Sequence, residues 1–295
     1  MLLNASGCLD ALAAPDVARS LDAFVTKTVT PEPREGNEPN RIAETDHGML
    51  NSIGLQNPGR ERFLTDVLPR LRELGLPLWV SVGGFAADEY AETCERLEDV
   101  TIELNLSCPN VDEAPESAAE IVASCRAATP LPLYAKLSPA QPDVAASARA
   151  VQAAGADGLS LVNTIRGLEL DPRTLRPRLG RAVGGYSGPA LKPIALAAVY
   201  AAYRATEMPI VGMGGIRSGW DAAEFLAAGA SSVAVGTALF ADPAAPVRIR
   251  RELEEAAASL GFADPYALRG LAHEPEFPVL PPRLTTEETP AFQAN

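Results

Sequence analysis

Eight short apolar runs, each rich in β-formers and each closed by small or polar residues, recur along the chain and decide what it can fold into. They are LLNAS (2–6), AFVTK (23–27), LWVSV (78–82), TIELNLS (101–107), LYAKLS (133–138), GLSLVNT (158–164), PIVGMGG (209–215) and SVAVGT (232–237). Between them lie stretches with helical spacing, among them ERFLTDVLPRLREL (61–74), DEYAETCERLE (88–98), ESAAEIVASCRAA (116–128) and DAAEFLAAG (221–229). Strands that read as near-continuous apolar runs and alternate with helices require a parallel sheet covered on both faces. Eight such units over roughly 240 residues predict an eight-stranded parallel (β/α)8 TIM barrel, whose usual size is about 250 residues. An open, doubly wound sheet is the alternative, and the even spacing favours closure. The expected domain is a single barrel over residues 1–260, followed by an extension over 261–295 that is Pro-rich and expected to be poorly ordered from about 274.

Two long segments interrupt the rhythm. Residues 28–59, after the second strand, and 165–190, after the sixth, are rich in Gly, Pro, Asn and Arg and read as long loops. Connections of that length in a compact domain are usually functional or disordered. Composition narrows the ligand. A formal net charge of −13 argues against nucleic acid and against an anionic membrane surface, so a small molecule is expected. No apolar run approaches the ~20 residues of a membrane helix, and no leader precedes the first strand, which points to the cytoplasm. Cys8, Cys94, Cys108 and Cys125 are too scattered for a metal site, and disulfides are not expected.

Of the 25 basic residues only Lys27, Lys136 and Lys192 are lysine. A lysine that survives such a bias toward arginine suggests a role for a compact point charge. Barrel chemistry sits at the C-terminal ends of the strands, so what ends each strand is the informative list. The ends are Asn4 and Ser6; Lys27 and Thr28; Ser81; Asn105 and Cys108; Lys136; Asn163 and Thr164; Gly214 and Gly215; Gly236 and Thr237. Each alone reads as strand-end capping. Together they place two lysines on one rim, with no evident charge partner in the nearby sequence. The glycine-rich ends of strands seven and eight suggest a phosphate site facing the starts of the helices that follow, and hence a phosphorylated ligand such as FMN. Asn51, Asn105, Asn110 and Asn163 offer both donors and acceptors to a planar substrate rich in carbonyl and N–H groups. Cys108, on a loop three residues past Asn105, is a candidate base if its thiol is tuned. Cys8, Cys94 and Cys125 read as structural, His47 as a solvated loop residue, and His273 is assigned nothing.

These residues fall in motifs that resemble the class 1 dihydroorotate dehydrogenases. The motifs are NASG (4–7), VTKTVTPEPREGNEPNRIAET (25–45), GMLNSIGLQNPG (48–59), ELNLSCPN (103–110), AKLSP (135–139), LSLVNT (159–164), GGYSGPALKP (184–193), PIVGMGGI (209–216) and VGTALF (235–240). LSLVNT and GGYSGPALKP look more like the NAD-linked subclass 1B than the fumarate-linked 1A. The resemblance implies an FMN-containing barrel that oxidises (S)-dihydroorotate to orotate in pyrimidine (UMP) biosynthesis, with no metal. It makes Cys108 the base for the C5 proton while the C6 hydride passes to flavin N5. It assigns substrate binding to Lys27, Asn51, Ser52, Ile53, Gly54, Leu55, Asn105, Asn110, Asn163 and Thr164. It assigns FMN binding to Ser6, Lys27, Thr28, Ser81, Asn105, Lys136, Val162, Gly188, Gly214, Gly215, Gly236 and Thr237, with Ser81 standing where the family commonly has Asn.

The resemblance further implies a homodimer, in subclass 1B joined to an electron-transfer subunit carrying FAD and a 2Fe-2S cluster in a heterotetramer. The family normally has a segment before its first barrel strand, whereas Met1 lies almost on the strand here, so either the start lies elsewhere or the barrel floor is covered differently. Two other readings stay open: a dihydropyrimidine dehydrogenase-like flavoenzyme, and a non-catalytic barrel that binds a phosphorylated ligand.

Overall fold

A computed structural model describes residues 1–106 and 117–275. All eight expected strands form, as β1 (Leu2–Asn4), β2 (Phe24–Val25), β5 (Leu78–Val82), β6 (Thr101–Asn105), β7 (Leu133–Leu137), β8 (Gly158–Leu161), β11 (Ile210–Met213) and β12 (Ser232–Val235). They make one parallel sheet in the order β1-β12-β11-β8-β7-β6-β5-β2, and a parallel bridge between Leu3 and Ala23 joins its two ends. The sheet is therefore a barrel, nearly closed.

The seam between β1 and β2 is too short for a full ladder, and a side chain completes it. Fully buried Asn4 donates its Nδ2 to Val25 O at 2.8 Å and accepts from Val25 N at 2.9 Å. An amide side chain satisfies both backbone groups as a neighbouring strand would. Asn4→Leu is expected to strand both of them in the core and to lower stability by about 2–4 kcal/mol, read from urea unfolding. A loss under about 0.5 kcal/mol would mean that the seam closes without Asn4.

Side-chain alternation sorts the strands into two cores. Outward residues such as Val80, Ile102, Leu133 and Leu159 pack beneath the helices. Inward residues form a second cluster of Leu3, Val25, Trp79, Val211, Met213 and Ala234, in which the Trp79 and Tyr134 rings lie 4.4 Å apart. Moving up the barrel, the inward side chains change character. Trp79 gives way to Ser81, Tyr134 to Lys136, and Glu103 is followed by Asn105, all of them buried or nearly so. The barrel is thus apolar below and polar at the rim.

Helices cover the outside, including Ala87–Glu95, Ala118–Ala128, Lys192–Ala205, Gly219–Ala227 and Ala245–Ser259. Cys94 and Cys125 lie on the first two of these, both fully buried, as the sequence suggests. A hydrogen bond to Cys125 and burial together push the Cys94 thiol far up. Because both thiols are sealed from solvent, neither cysteine is expected to react appreciably with a disulfide reagent before the protein unfolds, as peptide mass mapping would show. Rapid native labelling of either would contradict this packing.

The two long loops hold the main departure from expectation. They are not bare connections. Residues 28–59 contain a hairpin, β3 (Ile42–Thr45) and β4 (Gly48–Asn51), and residues 165–190 contain β9 (Ile165–Leu168) and β10 (Val183–Ser187). The four make an antiparallel sheet in the order β3-β4-β10-β9. Its strands are only four or five residues long, and the central pairing joins Asn51 to Gly185, so no local alternation announces it. Beyond the last long helix, residues 261–275 fold back in two short 3-10 turns. Leu268 is buried there, and His273 stacks on Tyr200 with ring centroids 3.9 Å apart. A cavity of about 440 Å³ at the barrel floor is lined by Met1, Tyr134, Pro209, Tyr266 and Arg269, among others. The expectation for the rest of the tail lies outside the described residues.

Candidate active site

A cavity of about 340 Å³ opens at the C-terminal rim of the barrel. The strand ends form its base, and Ile42, Met49, Asn51, Ser187 and Gly188 of the antiparallel sheet and its edge form a wall. Alternation explains that wall: Met49 and Asn51 face the cavity, while Leu50 between them packs with Ala43 and Leu179.

Most of the residues expected at the site line this one cavity. They are Ser6, Lys27, Thr28, Asn51, Ile53, Leu55, Asn105, Lys136, Val162, Asn163, Thr164, Gly188, Gly214, Gly215, Gly236 and Thr237. Three do not. Ser52 and Gly54 turn away into the loop, where the Ser52 hydroxyl accepts from Asn37 Nδ2 at 2.8 Å and Gly54 O accepts from Arg34 Nε at 3.3 Å. The run 51–55 thus alternates, with Asn51, Ile53 and Leu55 inward. Ser81 is fully buried one layer behind the wall, its Oγ 3.0 Å from Thr28 Oγ1. Its contribution is to hold Thr28. Cys108 and Asn110 lie outside the described residues. His47 occupies the turn between β3 and β4 and is not part of the cavity wall.

A chain of hydrogen bonds ties the strand ends together. Asn105 Nδ2 donates to Thr28 Oγ1 at 3.1 Å, Asn163 Nδ2 donates to Asn105 Oδ1 at 3.0 Å, and Thr164 N donates to Asn163 Oδ1 at 2.8 Å. Buried Tyr90 fixes the end of β6 from outside by donating its hydroxyl to Asn105 O at 2.8 Å. Side chains held this way present fixed donors and acceptors to a ligand without reordering.

The lysines separate into two roles. Lys27 and Lys136 line the cavity, whereas Lys192 lies outside it, 2.6 Å from Asp221 and 2.7 Å from Glu224. Gly7, with φ +75°, lets Lys27 pass: a Cβ there would stand 3.0 Å from the lysine Nζ. Lys136 does have a charge partner, contrary to the sequence reading. Glu103 Oε1 lies 3.3 Å from its Nζ, and the two side chains are 1 % and 5 % exposed. Glu103 escaped notice because a single carboxylate within TIELN reads as the solvent side of a strand. Cys8 also escaped. It sits in the cavity wall and not simply in the core, and burial pushes its thiol above the ordinary range against the pull of Lys136 and Lys27.

The glycine-rich strand ends are present, with one change in how they work. Gly214 and Gly215 follow β11 with φ of +120° and +84°. Bare backbone is needed because a Cβ at Gly215 would stand 2.9 Å from Gly188 O. The helix Gly219–Ala227 does not spend its N-terminus on the cavity, as the sequence suggested. Gly219 N donates to Glu252, Asp221 N to the Ser218 hydroxyl, and Arg217 N and Ser218 N to Asp221. The backbone at Gly188, Gly214, Gly215, Gly236 and Thr237 forms that part of the wall instead.

Comparison with known proteins places this architecture. The dihydroorotate dehydrogenase family profile matches residues 1–257. The chain belongs to the dihydroorotate dehydrogenase family. It is thus an oxidoreductase by kinship. A relative from Desulforudis audaxviator named dihydroorotate dehydrogenase B (NAD(+)), catalytic subunit, is 45 % identical over 264 residues, 86 % of either chain. Several further relatives carry that same name, in keeping with the subclass expected from LSLVNT and GGYSGPALKP. A relative from Solibacter usitatus named putative dihydroorotate dehydrogenase A (fumarate) is 46 % identical over 245 residues, covering 79 % of this chain and 81 % of that one. The crystal structure of DHODH from Eimeria tenella in complex with ferulenol superposes with a TM-score of 0.77 at 24 % identity, over 93 % of this chain and 85 % of that one, which bears on the fold. Among the described residues no helix is long and apolar enough to cross a membrane, and no cluster of three or more His, Cys, Asp or Glu is arranged to hold a metal ion.

Proposed function

We propose that the chain oxidises (S)-dihydroorotate to orotate, a step of UMP biosynthesis, with one FMN bound in the rim cavity. The observation that supports this best is the convergence of Lys27, Lys136, Asn105 and Asn163 with side-chain-free backbone at Gly188, Gly214 and Gly215 around a single cavity. The fit to FMN is chemical. Bare backbone at strand ends suits a phosphate, and a buried lysine suits the flavin edge where negative charge develops.

FMN, when bound, supplies the acceptor for the C6 hydride. In this reading Ser6, Thr28, Asn105, Lys136 and Val162 hold the ring system, while Gly188, Gly214, Gly215, Gly236 and Thr237 hold the phosphate side. Lys27, Asn51, Asn163 and Thr164 fix the substrate's polar edge, and Ile53 and Leu55 close its apolar side. Such a site rejects analogues that lack the matching groups, because its own amides are then left unpaired. Cys108 takes the C5 proton, and Asn110 belongs to the same substrate set. The electrons leave for a partner subunit, which the relatives' designation as catalytic subunits supports, and the motif resemblance to subclass 1B assigns FAD and a 2Fe-2S cluster to that subunit.

The test is anaerobic. The purified protein should take up FMN, and dihydroorotate should bleach the flavin band while dihydrouracil should not. A protein that binds no FMN on reconstitution, or whose flavin dihydroorotate leaves oxidised, rules the proposal out. Recovery from the native host of a homodimer active with fumarate would overturn the partner-subunit reading alone.

A further inference from the structure

Glu103 faces the barrel interior two residues before Asn105 and is almost wholly buried. Its Oε1 lies 3.3 Å from Lys136 Nζ, and that ammonium also donates to Ser6 Oγ at 2.9 Å. A lysine has three N–H donors in fixed relation. Two of them are thus spent sideways, toward β6 and toward the end of β1, which pins the nitrogen at the cavity wall. The other groups around it are Cys8 beyond the end of β1, Lys27 at the end of β2, and Ser160, in register with Lys136 on β8. Lys27, Lys136 and Glu103 all act on the Cys8 thiol, so the three charges share one neighbourhood, with a net charge of about +1.

Stability alone does not call for such a pair. Taking a carboxylate and an ammonium out of water costs about as much as their attraction returns, and apolar residues of similar volume often do as well. What the pair provides is a cation of fixed position whose field is partly cancelled. We propose that Glu103 is a positioning residue that, through Lys136, limits how strongly the site stabilises negative charge on a bound isoalloxazine. The inference rests on the FMN reading above. A full cation would favour the reduced ring so strongly that passing its electrons onward becomes harder. The balanced cation accepts the hydride and still lets the electrons go.

Glu103→Gln keeps the shape and removes the charge. The FMN-loaded protein is equilibrated with a reference dye under anaerobic conditions, at about pH 6 and about pH 8. At the poise where the native flavin is half reduced, the variant is expected to show at least a roughly tenfold higher ratio of reduced to oxidised flavin, equivalent to ~30 mV for a two-electron couple. A rise at the lower pH, whatever the ratio at the higher, also supports the inference. A ratio unchanged within about twofold at both values overturns it, even if the variant unfolds more easily, because a purely structural glutamate would move stability alone. If Glu103→Gln is insoluble, Glu103→Asp withdraws the charge by one methylene and should move the ratio the same way by a smaller amount, and no movement there overturns the inference equally. Native protein that takes up no FMN sinks the flavin reading and this inference with it, whereas FMN uptake with an unmoved ratio sinks only the inference.

Discussion

Lys136→Ala is expected to lower stability by about 3–5 kcal/mol and to weaken FMN binding about ten- to a hundredfold. The first effect comes from what remains. Glu103, 1 % exposed, would keep its charge without the ammonium that lies 3.3 Å from it. A buried charge stripped of its partner costs far more than the pair was worth. The Ser6 hydroxyl would lose the same donor. The second effect comes from the cavity wall, which would lose its most buried charged group. Urea unfolding of the flavin-free protein separates the two effects, since it reads only the first. Replacing both members of the pair with methionine should recover most of that stability and none of the flavin affinity. A flavin-free Lys136→Ala protein within about 1 kcal/mol of native would show that the Glu103 charge finds relief elsewhere.

Cys108→Ala should leave the flavin spectrum and FMN affinity unchanged and slow flavin reduction by dihydroorotate about 10²- to 10⁴-fold, the range over which a positioned base acts. Cys108 lies outside the described residues, whereas Asn105, three positions before it, is the last residue of β6. The Asn105 side chain is held by Thr28 and Asn163, and its carbonyl is held by Tyr90. Stopped-flow flavin reduction reads the step directly. Cys108→Ser should retain part of the rate, because a hydroxyl holds its proton more tightly than a thiol. Native rates in the alanine variant would remove Cys108 from proton transfer and move attention to Cys8, a cysteine of the cavity wall near Lys27 and Lys136.

The barrel was legible because its evidence is local. Each strand lies in an apolar run of about five to seven residues that alternates with helical stretches, and the residues closing each run fall on the rim by topology alone. That is why the sequence alone places Lys27, Asn105, Lys136 and Asn163 on the rim, where they line the cavity. What stayed hidden depends on distant partners. Glu103 looks like an ordinary strand carboxylate until β7 brings Lys136 beside β6. Ser81 sits at a strand end like the others, yet Thr28 stands between it and the cavity, a depth that no one-dimensional pattern encodes. Ser52 and Gly54 were carried along with their neighbours because a motif is contiguous, whereas an extended backbone shows alternate residues to the ligand. The antiparallel sheet was missed because β4 finds β10 at a sequence separation of 134 between Asn51 and Gly185.

That last pairing bears on the order in which binding competence is acquired. The wall of the cavity is a clasp with one half in the first third of the chain and the other half beyond its midpoint. Closing so long a loop costs entropy that only the finished contact returns, and such contacts form late. A fragment ending before β9 would hold six of the eight barrel strands, carry Lys27, Asn105 and Lys136, and still lack the second half of the clasp. During refolding, therefore, helical signal should return ahead of flavin capture, and the lag between them times the meeting of the two halves.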